Sequence, residues 1–342
     1  LQPIVDDFKD MGNGFNVYDA DLKKNTTVRC FLSFICGDMP GVCDMCGYMN
    51  HNSTISCRTC LGKKEGRGIP TFDFNPVSRN IFLDRGREWW LEFLKSESEG
   101  VGKKKTSKNL YGSFGLKFKS PIFQLFSIQQ PFSLVYDAMH LFYENIQKRF
   151  LMLLLDPQYG DETTLLSEQN KLRFKNILEQ LNLSTTIEWK DGQFNVPNLI
   201  SGNFTGTKAS QLKALLDVMP ILLVEVEGDR EFLKIFCLLA LSLRTLTSSS
   251  IPNNILNNME KIILYAVHMF EILIVRGDIK RTRYATLNLH SLSHIVLFIL
   301  MTGNPRCFWS FVMERWCAWL KGSTRPNRYL IVSIGNTIVR SI

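Results

Sequence analysis

The chain of 342 residues contains no apolar run of the length a membrane span needs. Its apolar runs, such as residues 150–155 and 295–301, have six and seven residues, against the roughly 20 that cross a hydrocarbon core. No basic-then-apolar leader with a small-residue cleavage site opens the sequence, so nothing in it indicates secretion. It carries no internal repeat. Disordered, collagen-like and low-complexity polypeptides are excluded by a hydrophobic fraction of 45% that includes 24 Phe, with charged residues at only 21%. What remains is a globular chain long enough for one large domain or two smaller ones. It starts at Leu1 rather than Met, inside an amphipathic stretch, and an upstream portion is therefore expected.

The net charge of +8 is unevenly spread. Residues 61–120 hold 13 Lys/Arg against 7 Asp/Glu, whereas residues 1–60 are net −2. A local basic block suits a polyanion such as nucleic acid; the plainer reading of its densest part, 100–108 (GVGKKKTSK), is a solvated linker. Lys103, Lys104, Lys105 and Lys108 are the candidate DNA-binding residues. Six of the nine cysteines fall in the first 60 residues. That clustering suggests metal ligation more than a disulfide framework.

Apolar spacing predicts a helix over 1–11 and a buried strand over 27–36 (TVRCFLSFIC), which stops at Gly37-Asp38-Met39-Pro40-Gly41. Residues 61–128 read as long loops around one helix near Trp89. From Pro131 onward helical spacing dominates, over 132–155, 165–181, 209–224, 231–246 and 254–274. Two closing helices are expected over 282–301 and 305–320, the second opened by Asn304-Pro305. The expected fold class is α/β, mostly α by content. Its division is 1–62 (a small α/β part with Asp38, Cys57 and Cys60), 63–130 (basic and loop-rich), 131–281 (helical) and 282–342 (closing helices with His290, His294 and Glu314).

Four features could carry chemistry. Asp38 lies at the C-terminal end of the expected strand, the edge where ligands meet open α/β sheets, although Asp-Met-Pro-Gly is also ordinary turn chemistry. Cys57-Arg58-Thr59-Cys60 supplies two adjacent corners of a tetrahedral zinc site. The other two corners come either from Cys43 and Cys46, as a C-x2-C-x10-C-x2-C ribbon, or from His290 and His294. The latter, spaced i,i+4, share one face of a helix and could equally be hydrogen-bonding core residues. Glu314 lies beside an apolar stripe that includes Phe311, Trp316 and Trp319. None of its helical neighbours Ser310, Phe311, Cys317 and Ala318 is basic. A buried carboxylate there needs a cation or an Arg from elsewhere in the fold.

Taken together, these residues resemble the catalytic core of cut-and-paste DNA transposases of the CACTA (En/Spm) type. Leu1-Gln-Pro-Ile-Val-Asp-Asp resembles the family's L-x-P-h-V-[DE]-[DE]-L stretch, and Gly37-Asp38-Met39-Pro40 its G-D-x-P motif. Gly47, His51, Cys57 and Cys60 match the Gly, His and Cys-x-x-Cys that follow. Tyr136-Asp137-Ala138-Met139-His140 is similar to the family's D-x-M-H helix start. Thr207-Lys208-Ala209-Ser210-Gln211 and Pro220-Ile221-Leu222 resemble later stretches. His290-x3-His294 and Phe311-Val312-Met313-Glu314-Arg315 resemble the closing H-x-x-x-H and F-x-x-E-[RK] block.

The resemblance implies a ribonuclease H-like core interrupted by a large helical insertion. It implies zinc held by Cys57, Cys60, His290 and His294, and catalytic Mg²⁺ or Mn²⁺ held by Asp38 and Glu314 as the second and third of three acids. Cys43 and Cys46 fall where the family has no ligands. His51 and His140 match positions whose roles are open, His140 reading as a core or capping residue. The implied activity is metal-dependent DNA strand cleavage and transfer at transposon ends, in the nucleus, with no membrane partner; a homo-oligomer is one state it allows, and the sequence does not fix the oligomeric state. The first acid would precede Leu1, so the chain reads as a fragment or a decayed copy, inactive as it stands. The alternatives are a non-catalytic nucleic-acid-binding or protein-interaction module on the same zinc-stapled scaffold, and a zinc ribbon with a helical partner-binding domain.

Overall fold

The computed structural model describes residues 1–69, 86–99, 110–180, 196–227 and 230–323. The fold is mostly helical, with two small two-stranded sheets. Lys103, Lys104, Lys105 and Lys108 lie outside the described residues.

The N-terminal part begins with helix α1 (Gln2–Asn13), which runs two residues past the expected end and stops at Gly14, where φ is +102°. An antiparallel hairpin of β1 (Phe15–Asp19) and β2 (Lys24–Val28) follows, pairing Phe15 with Val28 and Asp19 with Lys24. Next come β3 (Ile35–Gly37), α2 (Met39–Cys46) and α3 (Arg87–Glu99). The apolar run 27–36 is therefore not one buried strand. Its first residues belong to the exposed hairpin, Phe31 and Phe34 are exposed, and pairing with the later strand begins only at Ile35. A strand exists where a partner supplies hydrogen bonds, and the partner of β3 comes from much later in the chain.

That partner is β4 (Leu134–Tyr136), which runs parallel to β3 in the register Ile35–Leu134, Cys36–Val135 and Gly37–Tyr136. The expected helix over 132–155 thus opens as a strand. Only at Met139 does it become helical, as a π-helical segment (Met139–Gln147) continued by α4 (Lys148–Leu155). Three apolar residues are too few for periodicity to distinguish strand from helix.

The helical body comprises α4, α5 (Glu168–Gln180), α6 (Val196–Ile200), α7 (Ala209–Glu227), α8 (Glu231–Leu246) and α9 (Asn253–Phe270) with its π-helical extension Glu271–Val275. Its amphipathic faces meet in one large core. Phe150 lies at its heart, its ring centroid 5.6 Å from Phe232, 5.3 Å from Phe236 and 5.4 Å from Phe270. A second core joins Val5, Ile35, Val42, Cys43, Cys46, Trp89, Phe93 and Leu134, so the N-terminal elements pack around both strands.

After a 3-10 turn (Arg281–Tyr284), helix α10 (Leu287–Thr302) is capped by the Thr286 hydroxyl, which accepts from the Leu289 N–H. The expected helix over 305–320 is broken. A 3-10 turn (Pro305–Cys307), capped by Asn304, precedes α11 (Phe311–Ser323). The break has a physical cause: β3 and β4 capture the intervening backbone. The Cys36 thiol donates to the Phe308 carbonyl at 2.9 Å, and the Ser310 N–H donates to Asp137 Oδ1 at 3.0 Å. Among the described residues no single helix is long and apolar enough to cross a membrane.

Truncating Phe150 to Ala removes a buried ring bounded by three others. The expected cost is about 3–5 kcal/mol, read as a shift of the urea midpoint at unchanged slope.

Candidate metal centre and adjoining cavity

The loop after α2 and the helix α10 meet at four buried side chains. Cys57, Cys60, His290 and His294 offer ligand atoms that all lie within 4.8 Å of one another. Cys57 Sγ is 3.5 Å from His294 Nε2, Cys60 Sγ is 3.2 Å from His290 Nε2, and the two Nε2 atoms are 3.2 Å apart. Tetrahedral zinc with Zn–S of about 2.3 Å and Zn–N of about 2.0–2.1 Å has edges of roughly 3.3–3.8 Å. The donor set and its spacing therefore fit a zinc ion. Four lone-pair atoms converging on one dry point are costly without a cation among them.

Local geometry prepares the thiolates. The Thr59 N–H donates to Cys57 Sγ at 3.4 Å and the Gly62 N–H to Cys60 Sγ at 3.3 Å. Gly62 makes a close approach: a Cβ there would lie 3.2 Å from both Cys60 Sγ and the His290 ring, so a larger residue would press on the quartet. Burial by itself raises the Cys57 thiol pKa. The hydrogen bond with Cys60 and the charges of His294 and His290 outweigh burial and hold Cys57 well below its usual range. Cys43 and Cys46 are buried elsewhere, in the second core, so the ribbon pairing is not formed. Burial raises the Cys46 thiol to about 12.

Between the two cysteines, Arg58 and Thr59 reach the other way, onto β4. Arg58 Nη2 donates to the Val135 carbonyl at 2.9 Å, and its guanidinium lies 4.0 Å above the Tyr136 ring. The Thr59 hydroxyl is 2.8 Å from the Tyr136 hydroxyl. The Cys-x-x-Cys loop thus ties α10 to the strand pair.

The strand pair ends in acids. Asp38 follows β3 and Asp137 follows β4, in the register that pairs Gly37 with Tyr136. Both line one cavity of about 490 Å³, together with His51 and His140. Asp38 is exposed and caps α2, its Oδ1 accepting from the Gly41 N–H at 2.8 Å. Asp137 is buried and engaged on both oxygens. Oδ1 accepts from the Met139 and Ser310 N–H groups at 3.0 Å each, and Oδ2 meets His140 Nδ1. Burial alone would raise the Asp137 pKa; the hydrogen bonds with His140 and Ser310 lower it instead.

Glu314 differs from its expected setting. Its side chain is 55% exposed rather than buried, and Val312, Met313, Trp316 and Trp319 on the same helix are exposed too. Its partner is neither Arg nor a helical neighbour: His140 Nε2 lies 3.1 Å from Glu314 Oε1. His140 is accordingly more than a capping or core residue. It bridges Asp137 to Glu314, with Glu144 3.8 Å away. The D-x-M-H spacing was the one sequence signal pointing to it. Among the described residues the Cys/His quartet is the one group of three or more Cys, His, Asp or Glu side chains close enough to share an ion. Asp38 and Glu314 belong to no such group: Asp38 lines the cavity, and Glu314 is joined through His140 to Asp137, which lines it too.

No protein-family model matches the sequence, and no curated protein matches it significantly.

Purified protein is expected to hold one zinc per chain, lost in Cys57→Ser and His294→Ala and retained in Cys43→Ser, as read by metal analysis. A second expectation concerns pH. The hydrogen bond to Asp137, helped by the charges of Asp137, Glu144 and Glu314, raises the His140 pKa from 6.5 to about 9 against the effect of burial. The folded state binds this proton more tightly, so its stabilisation is complete below pH 6.5 and is lost as pH rises through about 9. Urea midpoints measured across that window should fall in the parent and fall less in His140→Gln.

Proposed function

We propose that the chain is part of a transposase-derived, ribonuclease H-like domain that acts on nucleic-acid phosphodiesters, with Asp38 and Glu314 as the carboxylates that hold a divalent cation. The observation that carries this reading is the parallel pair β3–β4, whose C-terminal ends present Asp38 and Asp137 beside one cavity. Glu314 stands one side chain away, across His140. In open α/β sheets this is the edge where ligands and ions meet the protein.

The residues fit Mg²⁺ or Mn²⁺ by donor chemistry. Both acids offer hard oxygen ligands, and Asp38 spends only Oδ1 on its helix cap. Such an ion, when bound, polarises a phosphoryl oxygen and lowers the pKa of its water. The chain's own residues do the rest. Asp137 spends both oxygens on the backbone and on His140, so its role is to fix the strand end, the helix start and the segment leading into α11. His140 holds Glu314 toward the strand edge through Nε2. The zinc staple fixes α10 against the Cys-x-x-Cys loop, which sets how far apart the early and late acids can stray.

The test is Mn²⁺-dependent nicking of supercoiled DNA by the full-length protein. Asp38→Asn and Glu314→Gln are each expected to lower the rate by about two orders of magnitude or more, with zinc content unchanged. Mn²⁺ binding, followed by water-proton relaxation, should weaken in the same variants. Unchanged nicking in either would remove that residue from the mechanism.

A further inference from the structure

Arg58 is 2% exposed, and its guanidinium is only partly satisfied. Nη2 bonds the Val135 carbonyl and the Tyr136 ring covers one face, but Nε and Nη1 have no hydrogen-bond partner and are shielded from solvent. Arginine stays charged at any relevant pH, so burial cannot be relieved by losing the proton. A buried guanidinium with two unspent N–H groups is costly unless an anion completes it. Arg58 also lines the cavity that Asp38 and Asp137 share.

The cavity's other charges point the same way. Lys64, Arg67, Arg149 and Arg283 line it as well, so five cations face two carboxylates. Among the described residues none of the five is ion-paired with a carboxylate. Asp137 is already spent on His140 and two backbone N–H groups. A neutral ligand gains nothing from this surplus, and a single carboxylate uses one cation of five. A planar N–H fork with further cations around it suits successive phosphates of a strand.

We infer that Arg58 is the buried phosphate-binding residue of this cavity, taking a backbone phosphate of a nucleic-acid strand on its guanidinium fork while Lys64, Arg67, Arg149 and Arg283 take neighbouring phosphates. The inference rests on reading the cavity as a phosphodiester site, but it requires no divalent cation and no catalytic carboxylate. It also gives the zinc staple a second consequence: with Cys57 and Cys60 fixed on either side, Arg58 is held over Tyr136 at the foot of Asp137.

The experiment is fluorescence anisotropy of a short labelled DNA strand with the full, zinc-loaded chain, without Mg²⁺ or Mn²⁺, and with inorganic phosphate as competitor. Saturable binding is expected. Arg58→Lys, which keeps the charge and loses the fork, should weaken it about tenfold, and Arg67→Ala about two- to fivefold. Zinc content and circular dichroism identify the folded variants, and Arg67→Ala, at an exposed position, keeps the test open if Arg58 variants do not fold. Folded Arg58→Lys binding as tightly as the parent would overturn the inference, as would an unaltered affinity in Arg67→Ala if no Arg58 variant folds. Displacement of the strand by inorganic phosphate at equimolar concentration would assign the site to the free anion and overturn the nucleic-acid reading. Asp38→Asn separates the two ideas, because it should abolish nicking and retain strand binding. Nicking with no Arg58 effect overturns this inference alone; Arg58-dependent binding without Asp38-dependent nicking overturns the catalytic reading alone.

Discussion

Two cysteines from a loop near residue 60 and two histidines from a helix near residue 290 bring their ligand atoms within 4.8 Å of one another in a buried junction, and the loop and helix that flank the cavity meet there. The loop is short, and its two central side chains face the opposite way from the cysteines. Whatever fixes Cys57 and Cys60 therefore also fixes Arg58 over Tyr136 and Thr59 against the Tyr136 hydroxyl. The helix contributes again through Phe298, whose ring meets Tyr136 edge-on at 4.9 Å. Strand β4 is held from two sides by elements that meet at the Cys57, Cys60, His290 and His294 quartet, and Asp137 lies at its end.

A second, polar junction lies at the same strand end. Asp137, His140 and Glu314 form a chain of contacts in which a raised imidazole pKa and a lowered carboxylate pKa express one mutual stabilisation. Because Asp137 also accepts the Ser310 N–H, and Cys36 donates to the Phe308 carbonyl 272 residues away, both strands grip the segment that leads into α11. The last described helix is positioned by these few bonds and by Phe311, whose ring lies 6.0 Å from Tyr143. Most of its own surface stays exposed. An acid on such a helix is aimed by its hydrogen-bond partner rather than by packing.

Between the early and late elements stands the helical body, a core of aliphatic side chains around the Phe150 cluster. Its contribution to the cavity is indirect. It carries the chain away from β4 and returns it to α10, and the π-helical segment Met139–Gln147 is where the two parts merge. His140 sits in its first turn, so a helix irregularity coincides with the polar junction.

The long helices α7, α8 and α9 were legible in the sequence because each repeats its apolar positions over many turns, as Leu212, Leu215, Leu216 and Met219 do. The candidate metal quartet was legible too, since Cys-x-x-Cys and an i,i+4 His pair are local spacings with few uses; the resemblance favoured His290 and His294 over Cys43 and Cys46, and the fold brings those histidines to the cysteines. Leu134–Tyr136 could not be read as a strand, because three apolar residues carry no period and their hydrogen-bond partners lie about a hundred positions earlier. The run 27–36 misled for the complementary reason: its composition favours a strand, but only its end finds a parallel neighbour. Glu314 was expected to be buried because its helix is apolar, yet that face is exposed and its partner is a histidine from another element. Local spacing thus determined which residues can ligate and which segments can be helical. Which acids share a cavity, which cation faces them and which short segments pair were decided by tertiary structure, because each depends on groups that meet only when distant parts of the chain fold together.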